Sequence, residues 1–431
     1  MKRHIFIIFA VVFCVLLMQR DAVFACTSAI FTGKVTADGR PLLWKHRDTG
    51  EENNRIEYFE GESYGFLALV DSPSPGGKVW AGTNVTGFAI MNTASYNLKD
   101  DDIKKMDQEG VLMFKALGQC KNLADFERFL DEYERPMRVE ANFGVIDAEG
   151  GAAYYEVNNS VWVKVDANDP KNAPDGCLIY TNFSYTGRTD EGMGYIRHQN
   201  AKDIVSRHLA TGGRMTPHWV FNKLSRSFYH SLQGIDLTEE RFSPENGSGW
   251  VIDQDYIPRK SSTAVIVFQG IKPGEHPEMT VMWTLLGYPP AGVAVPLFAK
   301  AGAEQPAVMM KSDHSQNAAA CDAALQLKRK TFSIKRGNGG RYMNFSLVYN
   351  ANETGYMQEL QFGERMFEAE FREPIKKWRQ NGLDPAELKT LYEQIDHFPK
   401  FYETLNVNQS TPSFRAGRAG IEPISPAESS Q

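Results

Sequence analysis

Cys26 is the residue whose type and position carry the most specific chemistry in this sequence. Basic residues at positions 2 to 4 precede an apolar run from Ile5 to Met18, and Val23-Phe24-Ala25 stands directly before Cys26, which is the three-part pattern of a secretory signal peptide. Cleavage after Ala25 would give Cys26 a free α-amine beside its own thiol. An unperturbed α-amine has a pKa of roughly 7.7 to 8.0, so it can take the thiol proton as a general base. The resulting thiolate is a nucleophile for an amide carbonyl.

The rest of the sequence offers no competing catalytic or binding motif. It holds no HExxH pair, no GxSxG nucleophile turn and no Walker-type loop. The formal net charge is -6 and no basic stripe is interleaved with aromatic residues, so we expect no nucleic-acid partner. We also expect no cofactor and no metal.

The apolar N-terminal run is shorter than the roughly 20 residues that a membrane-spanning helix needs. No later stretch is long and apolar enough, so we expect an exported chain, periplasmic or secreted, with no integral membrane span. After removal of the signal, Cys26, Cys120, Cys177 and Cys321 remain, too few for a disulfide framework in so long a chain. The sequence does not decide whether two of the last three form a bridge.

Two β-prone segments are placed to position Cys26. The segments Thr27 to Thr32 and Pro41 to Trp44 flank the turn signal Ala37-Asp38-Gly39. If the two segments pair as a hairpin, Cys26 and Asp48 reach the same end of it. A hairpin is therefore the local structure that would bring these two side chains together.

The remaining pattern predicts one layered α+β domain from residue 26 to 408, followed by a flexible tail from 409 to 431 that is rich in Ser, Pro, Gly and Ala. Strands joined by hairpins favour antiparallel sheets that are covered by helices on their outer faces. The loop at Gly337 to Gly340 is interpreted as a hairpin turn rather than a phosphate-binding loop. Further strands are predicted at 63–69, 78–83, 87–92, 142–146, 152–156, 161–165, 177–180, 263–268, 280–286 and 292–295, and helices at 109–120, 123–133, 194–209, 217–230, 355–371 and 384–395.

Two short segments carry a family resemblance. They are Cys26-Thr27-Ser28 and Gly39-Arg40-Pro41-Leu42-Leu43-Trp44-Lys45-His46-Arg47-Asp48. Together they resemble the start of the mature chain in the N-terminal nucleophile (Ntn) linear amide hydrolases, the superfamily of choloylglycine hydrolase and acyl-CoA:6-aminopenicillanic acid acyltransferase. The resemblance implies a four-layer αββα Ntn-hydrolase fold with two stacked, mainly antiparallel sheets.

The same resemblance implies roles around the thiol. Cys26 would be the nucleophile and its amine the base, with Asp48 orienting the ammonium form of that amine. The superfamily's second strand ends in Arg, Asn, any residue and Asp; here Lys45 replaces the Arg, which keeps the positive charge and loses the bidentate fork. Lys45 would stabilise the thiolate. The arginine that bile-salt-type members place on a later strand has no clear counterpart, since Thr263 stands in that register and Arg259 lies nearby.

Two later segments extend the resemblance to an oxyanion hole. The segment from Gly82 to Asn92 is similar to the superfamily's Gly-x-Asn-x-x-Gly strand, whose end would supply a backbone N–H near Asn92. Tyr180-Thr181-Asn182 is similar to the superfamily's Thr-Asn pair, in which Asn182 would be the side-chain donor. One donor aimed at a tetrahedral oxyanion lowers the barrier by about 3 to 4 kcal/mol.

The implied activity is hydrolysis of a linear amide, such as an N-acyl amino acid, a conjugated bile acid or a similar small-molecule acyl amide, through a thioester acyl-enzyme. A cysteine dipeptidase of the related Ntn family is an alternative, because Cys-Thr is followed by Gly33-Lys34 and Asp38-Gly39; it would need a pocket carboxylate for the substrate amine. A lipid-anchored binding protein is another, because Val23-Phe24-Ala25-Cys26 partly resembles a lipobox. The oligomeric state stays open, and a homo-oligomer is compatible with the sequence.

Overall fold

The computed structural model describes residues 25–73, 76–313, 315–398, 402 and 405. Residues 1 to 24 of the predicted signal peptide and all of the predicted tail from 409 to 431 lie outside these ranges. Within them, all four cysteines are free thiols, and no helix has both the length and the apolar character that crossing a membrane requires.

The first of two large sheets contains the strand that directly follows Cys26. It has six strands in the order β10-β1-β2-β14-β15-β16, and every neighbouring pair is antiparallel. The hairpin predicted from the sequence is confirmed as β1 and β2, and β10 begins and ends where the sequence predicted. The strands are β1 (Thr27–Phe31), β2 (Leu42–Asp48), β10 (Cys177–Tyr180), β14 (Ser262–Gln269), β15 (Val281–Leu286) and β16 (Val295–Phe298).

The second large sheet is a seven-stranded antiparallel meander in the order β3-β4-β5-β6-β7-β8-β9. Each strand pairs with the next in sequence, as short connections favour. The strands are β3 (Asn54–Phe59), β4 (Phe66–Asp71), β5 (Ala81–Asn84), β6 (Ala89–Ala94), β7 (Ala141–Ile146), β8 (Ala152–Val157) and β9 (Trp162–Asp166).

Alternating side chains on the meander show that both of its faces are covered. On β4, Leu67 and Leu69 belong to the core shared with the first sheet, whereas Phe66, Ala68 and Val70 belong to a second core. That division follows from the two-residue period of a strand. The second core is completed by the helices α1 (Glu109–Gln119) and α2 (Leu123–Glu132).

The remaining helices cover the other face of the first sheet. Trp44 of β2 points toward them, because its Nε1 donates to Oγ of Ser225 at 2.9 Å. The chain therefore has four layers in the order αββα, as the resemblance to the Ntn hydrolases implied. These helices are α3 (Tyr195–Ala210), α4 (Pro217–Trp219) with the π-helix Val220–Ser225, α5 (Ala319–Thr331), α6 (Tyr356–Asn381) and α7 (Pro385–Asp396).

Two local predictions were wrong. Residues Gly337–Arg341 form a 3-10 helix rather than a hairpin turn, and the following strand β17 (Tyr342–Asn344) pairs with the distant strand β13 (Trp250–Ile252). The helix predicted at 217–230 changes into the π-helix and ends at Ser225; a separate two-stranded ribbon of β11 (Tyr229–His230) and β12 (Ile235–Asp236) follows it.

Candidate active site

Cys26 lies at the open end of the β1–β2 hairpin, one residue before β1. Thr27 pairs with His46 across the hairpin, so the end of β2 runs alongside Cys26. The backbone N–H of Ala25 donates to the carbonyl oxygen of Asp48 at 3.2 Å, and Cys26 Sγ lies 4.0 Å from the same oxygen. Cys26 and Asp48 are therefore neighbours, as the predicted hairpin requires.

Lys45 connects the hairpin to the second sheet directly beside the thiol. Its Nζ donates to both the backbone oxygen and Oδ1 of Asn92, each at 2.7 Å. Its side chain is 1% exposed. Burial lowers the pKa of Lys45 to about 8, although the nearby Cys26 thiolate acts in the opposite direction. Lys45 is thus a cation below about pH 8 and can stabilise a thiolate at the end of the same hairpin.

Asp48 is fully buried and both of its oxygens are engaged. Oδ2 accepts from Nη2 of Arg259 at 2.6 Å, and Oδ1 accepts from Oγ of Ser262 at 2.5 Å. The same Nη2 of Arg259 donates to the carbonyl oxygen of Ala25 at 2.9 Å, which belongs to the peptide bond at the predicted cleavage site. Arg259, flanking β14, thus compensates the buried carboxylate right beside Cys26.

His46 does not supply charge to this cluster. Its Nε2 lies 2.8 Å from Oγ of Ser262 and 3.7 Å from Oδ1 of Asp48. Burial lowers the pKa of His46 to about 4, against the attraction of Asp48. A neutral imidazole at this position leaves Arg259 as the cationic partner of Asp48.

Asn182 is joined to Cys26 through a buried arginine. Oδ1 of Asn182 accepts from Nη2 of Arg197 at 2.7 Å, and Nδ2 donates to the carbonyl oxygen of Ala94 at 2.9 Å. Nη1 of Arg197 donates to the backbone oxygen of Cys26 at 2.6 Å and to Oγ1 of Thr27 at 2.8 Å. Burial lowers the pKa of Arg197 to about 9. No motif in the sequence pointed to Arg197, which lies in the first turn of α3.

A cavity of about 400 Å³ opens beside these groups. Four of the five predicted residues line it: Cys26, Lys45, Asp48 and Asn92. Asn182 is not among the lining residues and is fully buried behind them. The cavity therefore joins a thiol, a cation and a carboxylate in one volume, and Asn182 lies outside it.

Three further carboxylates line the same cavity and were not predicted: Asp107, Glu109 and Glu140. Glu109 is 8% exposed, and burial raises its pKa to about 7. Oε1 of Glu140 accepts from the backbone N–H groups of Leu98 and Lys99 at 2.8 and 2.9 Å. These residues come from the start of α1 and the approach to β7, so only the packed meander brings them to the thiol.

Comparison with solved structures finds similar chains at low identity. An N-acylethanolamine-hydrolyzing acid amidase ortholog from Caenorhabditis elegans is 14% identical, with 57% of this chain and 92% of that chain covered and a TM-score of 0.33. A mutant of the conjugated bile acid hydrolase from Clostridium perfringens is 10% identical, with 61% and 89% covered and a TM-score of 0.36. Penicillin V acylase from Agrobacterium tumefaciens is 12% identical, with 63% and 86% covered and a TM-score of 0.33.

No protein-family model and no curated protein matches the chain. The similarities to solved structures assign no residue role here. The four-layer fold rests on the two sheets and their covering helices, and the site rests on the contacts around Cys26.

Proposed function

We propose that this chain is an exported hydrolase of linear amide bonds and that Cys26, freed by cleavage after Ala25, is its nucleophile. One observation carries the proposal: the thiol of Cys26, the ammonium group of Lys45 and the carboxylate of Asp48 meet at one hairpin end and line one cavity between the two sheets. Such a cavity lets an amide carbonyl reach the sulfur.

The proposed reaction uses the two functional groups of Cys26. The α-amine takes the thiol proton, and the thiolate attacks the amide carbonyl to form a tetrahedral oxyanion. The resulting ammonium donates its proton to the leaving nitrogen, the C–N bond breaks and a thioester forms. Water then adds to the thioester with the amine again as base, which releases the carboxylic acid and restores the thiol. Lys45 stabilises the thiolate before attack.

Arg259 and Asp48 prepare the amine for this role. Cleavage removes the Ala25 carbonyl that Nη2 of Arg259 contacts, so the guanidinium and its Asp48 partner are left facing the new amine. A neighbouring cation favours the neutral amine and a neighbouring carboxylate favours the ammonium. Arg259 and Asp48 thus act on the pKa of the amine in opposite directions, so that the amine can both accept and donate a proton during turnover. In this proposal Arg259 takes the place of the late-strand arginine, and Thr263 has no catalytic role.

Substitution of Cys26 tests the nucleophile. Cys26→Ala is expected to abolish hydrolysis of N-acyl amino acids and dipeptides, and Cys26→Ser to leave a small fraction, because a hydroxyl is the weaker nucleophile at neutral pH. Cys177→Ala is the matched control, since Cys177 is a free, partly buried cysteine of the same sheet outside the cavity. Full activity in Cys26→Ala, measured by release of the amine product, would contradict the proposal.

A further inference from the structure

The carboxylate of Glu109 has more hydrogen-bonding capacity than the protein uses. Oε1 accepts from the backbone N–H of Glu140 at 3.1 Å. The carboxylate also accepts from its own backbone N–H, and the charge of Lys78 acts on it from a distance. No cation of the described residues forms an ion pair with it. A carboxylate taken out of water without a cationic partner is costly. Its position on the wall of the cavity that holds Cys26 leaves it open to a cationic group of a ligand.

Arg47 lines the same cavity and lacks a hydrogen-bond partner of the opposite kind. Its Nη2 donates to Oδ1 of Asp71 at 2.7 Å, and its guanidinium lies 5.0 Å from the ring centroid of Trp80. Nη1 is buried and has no hydrogen-bond partner in the described chain. The residue is 2% exposed. A buried guanidinium N–H of this kind calls for an acceptor oxygen, and a carboxylate matches its geometry best.

Glu109 and Arg47 have opposite charge and line the same cavity as the proposed nucleophile. A plain acyl chain would bury Glu109 without meeting either of them. A small zwitterion would meet both, with its ammonium at the carboxylates and its carboxylate at the guanidinium. The volume of about 400 Å³ is in the range of small-ligand sites, and Trp80 and Met106 give the cavity apolar surface for the ligand's side chains.

We propose that the substrate is a zwitterionic amide of the dipeptide class, whose ammonium group binds Glu109 and Asp107 and whose carboxylate binds Arg47. This proposal rests on the proposed amidase function and names the substrate of that same site. It also supplies the pocket carboxylate that the dipeptidase alternative needed. Glu140 holds the wall in place, because its Oε1 is already engaged by two backbone N–H groups.

Binding to an inactive form tests the substrate class separately from the chemistry. The processed chain carrying Cys26→Ala is titrated calorimetrically with L-alanyl-L-alanine, with its N-acetyl derivative and with its C-terminal amide. Acetylation of the amine and amidation of the carboxylate are each expected to weaken binding about tenfold or more, since each removes one charge-assisted contact. Equal binding of the N-acetyl derivative and the free dipeptide would overturn the proposal.

Glu109→Gln in the same background assigns the ammonium site. It is expected to weaken binding of the dipeptide about tenfold and to leave the N-acetyl derivative unchanged. Glu60→Gln is the matched control, because Glu60 is exposed and lies outside the cavity. Unchanged dipeptide binding in Glu109→Gln would overturn the assignment.

Asp107→Asn provides a second variant that does not disturb a buried group. Oδ2 of Asp107 is paired with Nζ of Lys78 at 2.9 Å, which leaves Oδ1 for the ligand. The Asp107 side chain is 56% exposed, and its φ of 74° is one that Asn adopts readily. If Glu109→Gln does not fold, Asp107→Asn decides. Weaker binding of the dipeptide, with a smaller loss on N-acetylation, supports the proposal, and an unchanged affinity overturns it.

The two proposals fail in different ways. A wild-type chain that binds the dipeptide tightly, loses binding on acetylation or amidation of the dipeptide, and hydrolyses no amide would contradict the amidase function alone. Hydrolysis of uncharged acyl amides with no preference for a free amine would contradict the substrate class alone.

Discussion

At the scale of single residues, Lys45 defines how this site differs from an arginine-based one. Nζ of Lys45 is held by two oxygens of Asn92, and burial brings its pKa down to about 8. An arginine remains protonated throughout the working range of an enzyme. A lysine at this position therefore gives the site a charge that disappears in mildly alkaline solution.

Lys45 is expected to set the alkaline limit of activity. Its pKa is lowered from 10.5 to about 8, so the side chain is charged below that pH and becomes neutral above it. Stabilisation of the thiolate is then lost, and kcat/KM falls as pH rises through about 8. In Lys45→Arg the fall should move to higher pH, because the guanidinium keeps its proton. A kcat/KM profile with the same alkaline limb in both proteins would rule out this role.

Site residues within the β1–β2 hairpin could be predicted from the sequence, whereas those that contact the hairpin from distant parts of the chain could not. Cys26 could be predicted from the signal-peptide pattern before it, and Lys45 and Asp48 from the resemblance of their segment to the Ntn hydrolases. Arg197 and Glu109 could not, because a single Arg or Glu in a helix is most often a solvent-facing residue. Their burial depends on which sheet face each helix covers.

At the scale of elements, Arg197 joins three parts of the first sheet. It extends from α3 to the backbone of Cys26, to Thr27 of β1 and to Asn182 just after β10. The three bonds fix the start of β1, where the nucleophile lies, relative to the strand beside it. The position of Cys26 thus depends on a helix that contributes nothing to the cavity wall.

Arg197→Met is expected to lower both the thermal unfolding midpoint and kcat/KM, the latter by tenfold or more, since a loss of about 1.4 kcal/mol corresponds to a factor of ten. The variant leaves Oδ1 of Asn182 and the Cys26 carbonyl without their buried donor. Arg207→Met, on the exposed face of the same helix, serves as the control. Scanning calorimetry and steady-state kinetics make the comparison, and equal values for the two variants would argue against a positioning role.

Local pattern predicted most elements where the partner strand is the neighbour in sequence. The meander from β4 to β9 and the helices α1 and α2 were predicted to within a few residues. The strand β3 was not predicted, because Asn54–Phe59 holds charged and polar residues and only Ile56 is a fully buried apolar one. Pairing of β17 with β13 was not predicted, because the two strands lie about ninety residues apart and no hairpin turn connects them.

At the scale of the whole molecule, the candidate site exists only where the two sheets face each other. Cys26, Asn92 and Glu140 come from separate parts of the chain, and the αββα layering brings them to one cavity. Strand pattern predicted antiparallel sheets, and the resemblance to the Ntn hydrolases implied that two of them are stacked. The distance between a residue of one sheet and a residue of the other depends on how the side chains of both faces pack, which no local pattern encodes.

The central claim is that the amine and the thiol of Cys26 work together, and the identity of the first residue tests it most directly. Two forms of the protein are compared for amide hydrolysis, one that begins at Cys26 and one that keeps a single extra residue before it, with both N-termini verified by intact mass. The account predicts turnover only in the form that begins at Cys26. Equal turnover in the extended form, with its mass unchanged after the assay, would contradict it.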